Sequence, residues 1–114
     1  MNRVQLSDAL SGGYVETYSL DLSNKTFTMH VEVFDEDGRE QLSVYDVTFS
    51  KCSRFALEDE SGHPWERIQV MEVWIEEEPQ SSASEEWQVL ISLWDTAHLS
   101  IRCAGILVNG EPLG

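Results

Sequence analysis

Five side chains in this sequence of 114 residues belong to the types that most often bind metals or act as nucleophiles. They are His30, His63, His98, Cys52 and Cys103. No two of them stand at the short spacings of zinc ligands, such as CxxC or HxxxH. A zinc site would need His30, His98 and Cys103 to meet through the fold, and residue type without spacing does not predict such a meeting. We therefore expect no metal ion and no cofactor.

Acidic residues could instead supply the paired carboxyl groups of general acid–base catalysis. They occur in runs at residues 58–60, 76–78 and 85–86. Catalytic pairs need differently tuned, partly buried sites, whereas runs of adjacent acids in loops are usually solvated. The sequence also has no GxSxG nucleophile elbow and no phosphate-binding glycine loop with its lysine. These patterns favour a protein that is not an enzyme.

Two tryptophans on predicted strands are out of phase with their apolar neighbours. Trp74 alternates with Val73 and Ile75, and Trp94 directly follows Leu93. Core packing is the usual role of a strand tryptophan. If the apolar set faces the core, however, both tryptophans lie on the exposed side, and exposed aromatics beside acids are typical of interfaces.

The charge of the chain excludes some partners and favours others. With 21 acidic and 7 basic side chains, the formal net charge is −14. Nucleic acids and anionic membrane surfaces would repel such a chain. Residues 58–86 hold ten acids and one base, a net charge of −9, so the acidity is concentrated in one stretch. This stretch would attract a basic partner, although the same charge would also keep a β-sheet protein soluble and protect its edges.

The candidate interface combines these acids with the neighbouring tryptophans. It comprises Glu58, Asp59, Glu60, Trp65, Trp74, Glu76, Glu77, Glu78 and Trp94. The predicted function is a non-enzymatic, acidic protein-binding module, such as an inhibitor that masks a basic protein. Two alternatives stay open. One is a small-ligand binder or enzyme with a cleft near His63 and Trp65, and the other is a structural protein that pairs sheet edges into a homodimer.

Alternation of apolar and polar residues with a period of two dominates the chain after residue 13. Phe27, Met29 and Val31, for example, alternate with polar residues, as in a half-buried strand. Six such segments joined by short turns favour antiparallel neighbours, because parallel pairing needs a crossover of about a dozen residues. In the fourth segment Val70 and Met71 are adjacent, which predicts either a β-bulge or a strand buried on both faces.

The residues before this alternating region predict a short helix. Leu6 and Leu10 are four residues apart, and Gly12 and Gly13 would end one or two helical turns over residues 4–10. The predicted fold is mainly β: an antiparallel meander or small β-sandwich of about six strands with a short N-terminal helical segment, in one domain over residues 1–114. The sequence shows no signal peptide or transmembrane segment, and two widely spaced cysteines suit a reducing compartment. We therefore expect a cytoplasmic protein.

Three long segments resemble one family. They are GYVETYSLDLSNKTFTMHVEV at residues 13–33, YDVTFSKCSRFALEDE at 45–60 and WQVLISLWDTAHLSIRCAGILVNG at 87–110. Through them the chain is similar to the small YxiG-like bacterial proteins, some of which are linked to polymorphic-toxin immunity. The resemblance implies a cytoplasmic, non-enzymatic β domain, and it supplies no functional residues.

Overall fold

The computed structural model describes residues 1–59, 68–78, 86–94 and 97–113. Within them the chain forms one α-helix and nine antiparallel β-strands. The elements are α1 (Arg3–Leu10), β1 (Tyr14–Asp21), β2 (Thr26–Phe34), β3 (Gln41–Ser50), β4 (Arg54–Asp59), β5 (Ile68–Glu78), β6 (Glu86–Leu93), β7 (Ala97–Cys103), β8 (Gly105–Val108) and β9 (Glu111–Pro112). The predicted fold class, mainly antiparallel β with a short N-terminal helix, is confirmed. No helix of these described ranges is long and apolar enough to cross a membrane.

The described residues form more strands than the six that the sequence predicts. One additional strand is β4, which Arg54–Asp59 forms before the chain breakers Gly62 and Pro64. The last of the six predicted segments divides at Ala104 into β7 and β8, which occupy different parts of the sheet. The short strand β9 adds the ninth.

All nine strands belong to one sheet, in the order β4-β7-β6-β5-β1-β2-β3-β8-β9. We call β4, β7, β6 and β5 the first half of the sheet and the other five strands the second half. The halves are joined where residues 14–15 of β1 pair with residues 68–69 of β5. Four strands separate β2 from β4 in this order, yet the ring centroids of Phe27 in β2 and Phe55 in β4 are 4.8 Å apart. The sheet therefore bends so that its two halves face each other.

One cluster of buried apolar side chains fills the space between the two halves. Burial of each large aliphatic or aromatic side chain stabilises the fold by roughly 1.5–3 kcal/mol, so this cluster is the main source of stability. The largest fully buried members are Phe49, Leu6, Leu10, Met29, Ile91 and Ile101.

Helix α1 begins at a capping box and buries the two leucines that the sequence predicts. The Asn2 side chain accepts a hydrogen bond from the Gln5 backbone N–H, and the Gln5 side chain accepts one from the Asn2 backbone N–H, both at 2.9 Å. Such reciprocal bonds satisfy amides that the first helical turn leaves unpaired. Leu6 and Leu10 then lie on the same face of the helix and are fully buried.

The two glycines after α1 attach the helix to the first half of the sheet. The Gly12 N–H donates to the Val70 carbonyl and the Val70 N–H donates to the Gly13 carbonyl, each at 2.7 Å. Gly12 has a φ of +85°, which favours glycine. A Cβ atom on Gly13 would lie 2.7 Å from Cγ1 of Val31. The glycine pair therefore allows β5 and β2 to approach the end of the helix closely.

The chain passes from one half of the sheet to the other at two neighbouring places, after β3 and after β7. There the Ser53 N–H donates to the Arg102 carbonyl at 2.8 Å. Cys52 and Cys103 lie at these crossings, and both are free thiols. Burial raises the pKa of Cys103 to about 12 and also raises the pKa of Cys52. Both thiols are therefore protonated, and weakly nucleophilic, at neutral pH.

A polar pair connects β2 and β3 on the exposed side of the second half. His30 and Asp46 are cross-strand partners, and His30 Nδ1 lies 2.7 Å from Asp46 Oδ1. His30 Nε2 lies 3.6 Å from Glu32 Oε1. The hydrogen bond to Asp46 raises the pKa of His30 above its ordinary value of 6.5, against the lowering effect of burial, and the charges of Asp46 and Glu32 act in the same direction as the hydrogen bond.

This raised pKa predicts a pH-dependent contribution to stability. Below the unfolded-state pKa of 6.5 the protonated His30 stabilises the fold fully, and that stabilisation is lost as the pH rises through the higher folded-state pKa. We expect His30→Gln to lower the free energy of unfolding more at about pH 6 than at about pH 9. Urea unfolding at both pH values measures the difference. In the Asp46→Asn background the pH dependence should largely disappear, and an equal loss at both pH values in the native background would contradict the assignment.

Candidate protein-interaction face

A β-bulge at Met71 decides which side chains of β5 face outward. The register between β5 and β6 shifts between Val70 and Glu72, so Met71 is an extra residue in the strand. Because of this extra residue Val70 and Val73 are both buried although they are three positions apart. Of the two alternatives that the sequence leaves open here, the bulge is confirmed.

After the bulge, regular alternation directs Glu72, Trp74 and Glu76 away from the core. Trp74 is 53% exposed and Trp94, immediately after β6, is 62% exposed. The exposure that the sequence predicts for both tryptophans is confirmed. The Trp74 indole Nε1–H donates to Glu76 Oε1 at 2.7 Å, so one of the two acids that flank the tryptophan also fixes its ring.

Cross-strand pairing places this strand at one side of a broader surface. We call this surface the outer face; it consists of the outward side chains of β4, β7, β6 and β5 in three transverse rows. In that strand order the rows are Glu58, His98, Ser92 and Glu72; Ala56, Ser100, Leu90 and Trp74; and Arg54, Arg102, Gln88 and Glu76.

The middle row gives the outer face an apolar ridge beside a groove. Leu90 is the cross-strand partner of Trp74 and is 45% exposed. Because Ala56, Ser92 and Ser100 are small, the surface dips on the other side of Leu90 into a groove of about 300 Å³. Sites for small molecules usually begin near this volume, so the groove is large enough for a side chain of a partner.

Charge is unevenly distributed over the outer face. On β5 the two outward acids, Glu72 and Glu76, are both exposed and lie on either side of Trp74. The basic side chains of the face lie on β4 and β7, as Arg54 and Arg102, and Arg102 Nε is 3.8 Å from Glu86 Oε2. The surroundings of Trp74 are therefore negative.

One row of the outer face holds three groups with catalytic chemistry. Glu58, His98 and Ser92 are consecutive in it, in the order carboxylate, imidazole and hydroxyl that nucleophilic triads use. Among the described residues, however, no hydrogen bond joins His98 to either neighbour. The amides of β6 and β7, which have neighbouring strands on both sides, pair within the sheet rather than point at a bound carbonyl oxygen. The row supports no catalytic proposal.

The outer face brings together three of the predicted interface residues: Glu58, Trp74 and Glu76. Trp94 is exposed just beyond the end of β6. Asp59 lies on the opposite phase of β4 from the outer face, where it pairs with the buried Ala97. Asp59 therefore does not lie on the outer face, and its predicted role in an interface stays a prediction.

Other predicted positions cannot be assigned to the face. Glu77 and Glu78 belong to β5, where their backbones pair with Trp87 and Glu86. Glu60 and Trp65 lie outside the described residues, and so does His63 of the alternative cleft. The small-ligand or enzyme hypothesis at that cleft stays a prediction, as does the homodimer.

Sequence reasoning missed several members of the outer face. Glu72 could have been found by counting two residues back from Trp74. Leu90, Ser92, Ser100 and the residues of β4 could not, because their proximity to Trp74 depends on which strands pair and in which register.

Away from the outer face, the described residues offer no site for an organic ligand or a metal ion. An apolar cavity of about 40 Å³ lies between the halves of the sheet, among Tyr18, Phe27, Phe55 and their neighbours. That volume is far below the roughly 300 Å³ at which sites for small organic ligands begin. No group of three or more histidine, cysteine, aspartate or glutamate side chains in the described residues could hold a metal ion.

Comparison with known proteins adds no further assignment. No protein-family model matches this chain, and no curated protein matches it significantly. The resemblance to the YxiG-like proteins, with the immunity role that it implies, therefore stays a prediction.

The orientation of β5 can be tested by two substitutions at adjacent positions. Ile75→Ala should lower the free energy of unfolding by about 2–5 kcal/mol because it opens a cavity in the core. Trp74→Ala should lower it by less than about 1 kcal/mol because it removes an exposed strand residue. Urea denaturation of both variants measures these values. An equal loss in both would place Trp74 in the core and contradict the outer face.

Proposed function

We propose that this chain is a non-enzymatic protein-binding module that engages a basic protein through the outer face. The observation that carries the proposal is the exposed Trp74 on β5 between two exposed carboxylates, Glu72 and Glu76. An inhibitor that masks a basic protein, as an immunity protein does, is the form of this function that the family resemblance favours.

The apolar part of the outer face is suited to contribute binding energy to a protein contact. Trp74 and its partner Leu90 expose about half of their surfaces, and Leu90 also lines the groove. Large side chains near the centre of an interface, tryptophan above all, contribute most of its binding energy. A β-sheet protein that needed only solubility would gain nothing from an exposed tryptophan here.

The negative charge of the chain supports a positively charged partner. The chain carries a net charge of −14, and Glu72 and Glu76 place part of it beside the apolar ridge. Such a field accelerates the encounter with a basic protein and weakens as the salt concentration rises. It also opposes the approach of a second copy of the same chain, which makes the homodimer the weaker interpretation.

A cytoplasmic location is part of this proposal. Both cysteines are free thiols, and a reducing compartment would keep them in that state. The partner would then meet this chain in the same compartment.

The proposal can be tested with charge variants that are matched in number. The test variant is Glu72→Gln/Glu76→Gln on the outer face, and the control is Glu36→Gln/Glu40→Gln at the exposed turn between β2 and β3. Each removes two negative charges. Proteins retained by the native chain at low salt are identified by mass spectrometry, and their association rates are then measured by surface plasmon resonance.

We expect a partner with a basic isoelectric point, whose association rate falls about tenfold with the test variant, since each exposed ion pair contributes up to about 1 kcal/mol. The control should change the rate far less, and high salt should slow all three proteins. A partner that binds the test variant and the native chain at equal rates at low salt would overturn the proposal.

A further inference from the structure

Trp74 is an exposed aromatic ring held in a defined orientation. Its indole N–H donates to Glu76 Oε1 at 2.7 Å, and its strand is fixed on one side by β6. A ring that is already oriented loses little conformational freedom when a ligand binds against it. Trp94 differs from Trp74 in this respect because it lies beyond the end of β6.

The groups around the ring select a cation. The hydrogen bond with the indole engages Oε1 of Glu76 and leaves Oε2 to accept a bond from a ligand. Glu72 is two residues away on the same side of the strand and is exposed. The π face of an indole attracts an ammonium or guanidinium group, and carboxylates near the ring strengthen that preference.

Apolar surface next to the ring suits the rest of a long basic side chain. Leu90 pairs directly with Trp74 and is 45% exposed. Directly opposed residues of an antiparallel pair have Cβ atoms about 5 Å apart, so the methylene groups of a lysine or arginine can cover Leu90 while the charged end reaches a carboxylate.

We propose that Trp74, Glu72 and Glu76 bind one lysine or arginine side chain of the partner, with its cationic group against the indole ring. This inference rests on the proposed function and names the chemistry that the outer face recognises. The same carboxylates repel a phosphate group or an acidic surface, including a second copy of this chain.

The indole N–H of Trp74 gives a direct readout in nuclear magnetic resonance. The probes are tetralysine, tetra-arginine and a tetrapeptide of Nε-acetyl-lysine, each titrated into the full chain labelled with ¹⁵N. The Trp74 signal is assigned by its loss in Trp74→Phe, and the Trp94 indole signal serves as an internal control.

We expect tetralysine and tetra-arginine to shift the Trp74 indole signal in a saturable manner, with a smaller shift for Trp94. The acetylated peptide, which has lost its side-chain charges, should leave Trp74 unchanged. Glu72→Gln/Glu76→Gln should weaken the binding of the charged peptides about tenfold, and Glu36→Gln/Glu40→Gln should weaken it far less. Parallel shifts of both tryptophans, or equal binding of the acetylated peptide, would overturn the cation site.

The two proposals can fail separately. If the captured partner loses affinity with Glu72→Gln/Glu76→Gln but keeps it with Trp74→Leu, the proposed function stands and the cation site is wrong. If the charged peptides bind at Trp74 as expected but no basic partner is captured, the cation site stands and the proposed function is wrong.

Discussion

The bulge at Met71 is the constraint on which the outer face depends. Before it, Val70 is held by backbone hydrogen bonds to Gly12 and Gly13 and points into the core. A strand without the extra residue would turn Val73 toward solvent and Trp74 inward, since a shift of one residue exchanges the two faces. Because of the bulge, the same strand bonds to the glycines after the helix at one end and exposes Trp74 at the other.

Local sequence patterns predict the part of the fold that depends on single strands. The spacing of Leu6 and Leu10 predicts α1, and alternation predicts that Trp74 and Trp94 are exposed. The adjacent apolar residues Val70 and Met71 predict that β5 either contains a β-bulge or is buried on both faces. In each case a residue and its near neighbours carry the information, because the period of a helix or strand is a local property.

The rest of the fold depends on pairing between strands that are far apart in the chain, which local sequence patterns do not reveal. Strand β4 joins the sheet beside β7 through residue pairs that are 38 to 48 positions apart in the chain, and this pairing brings Glu58 and Ala56 into the outer face. The division at Ala104 depends on the change from one half of the sheet to the other, which no local pattern signals. The concentration of charge in residues 58–86 is visible in the sequence, but its arrangement around Trp74 follows only from the register of β5 and β6.

Site-specific photo-crosslinking tests most directly whether the outer face contacts a partner. A benzophenone amino acid replaces Leu90 on the outer face or, as a control that is also exposed, Leu42 on β3. After irradiation in extract of the source cells, we expect position 90 to form a covalent adduct with a basic protein at low salt, and position 42 to form none. Adducts of that protein from position 42 and not from position 90 would contradict the outer face as the site of contact.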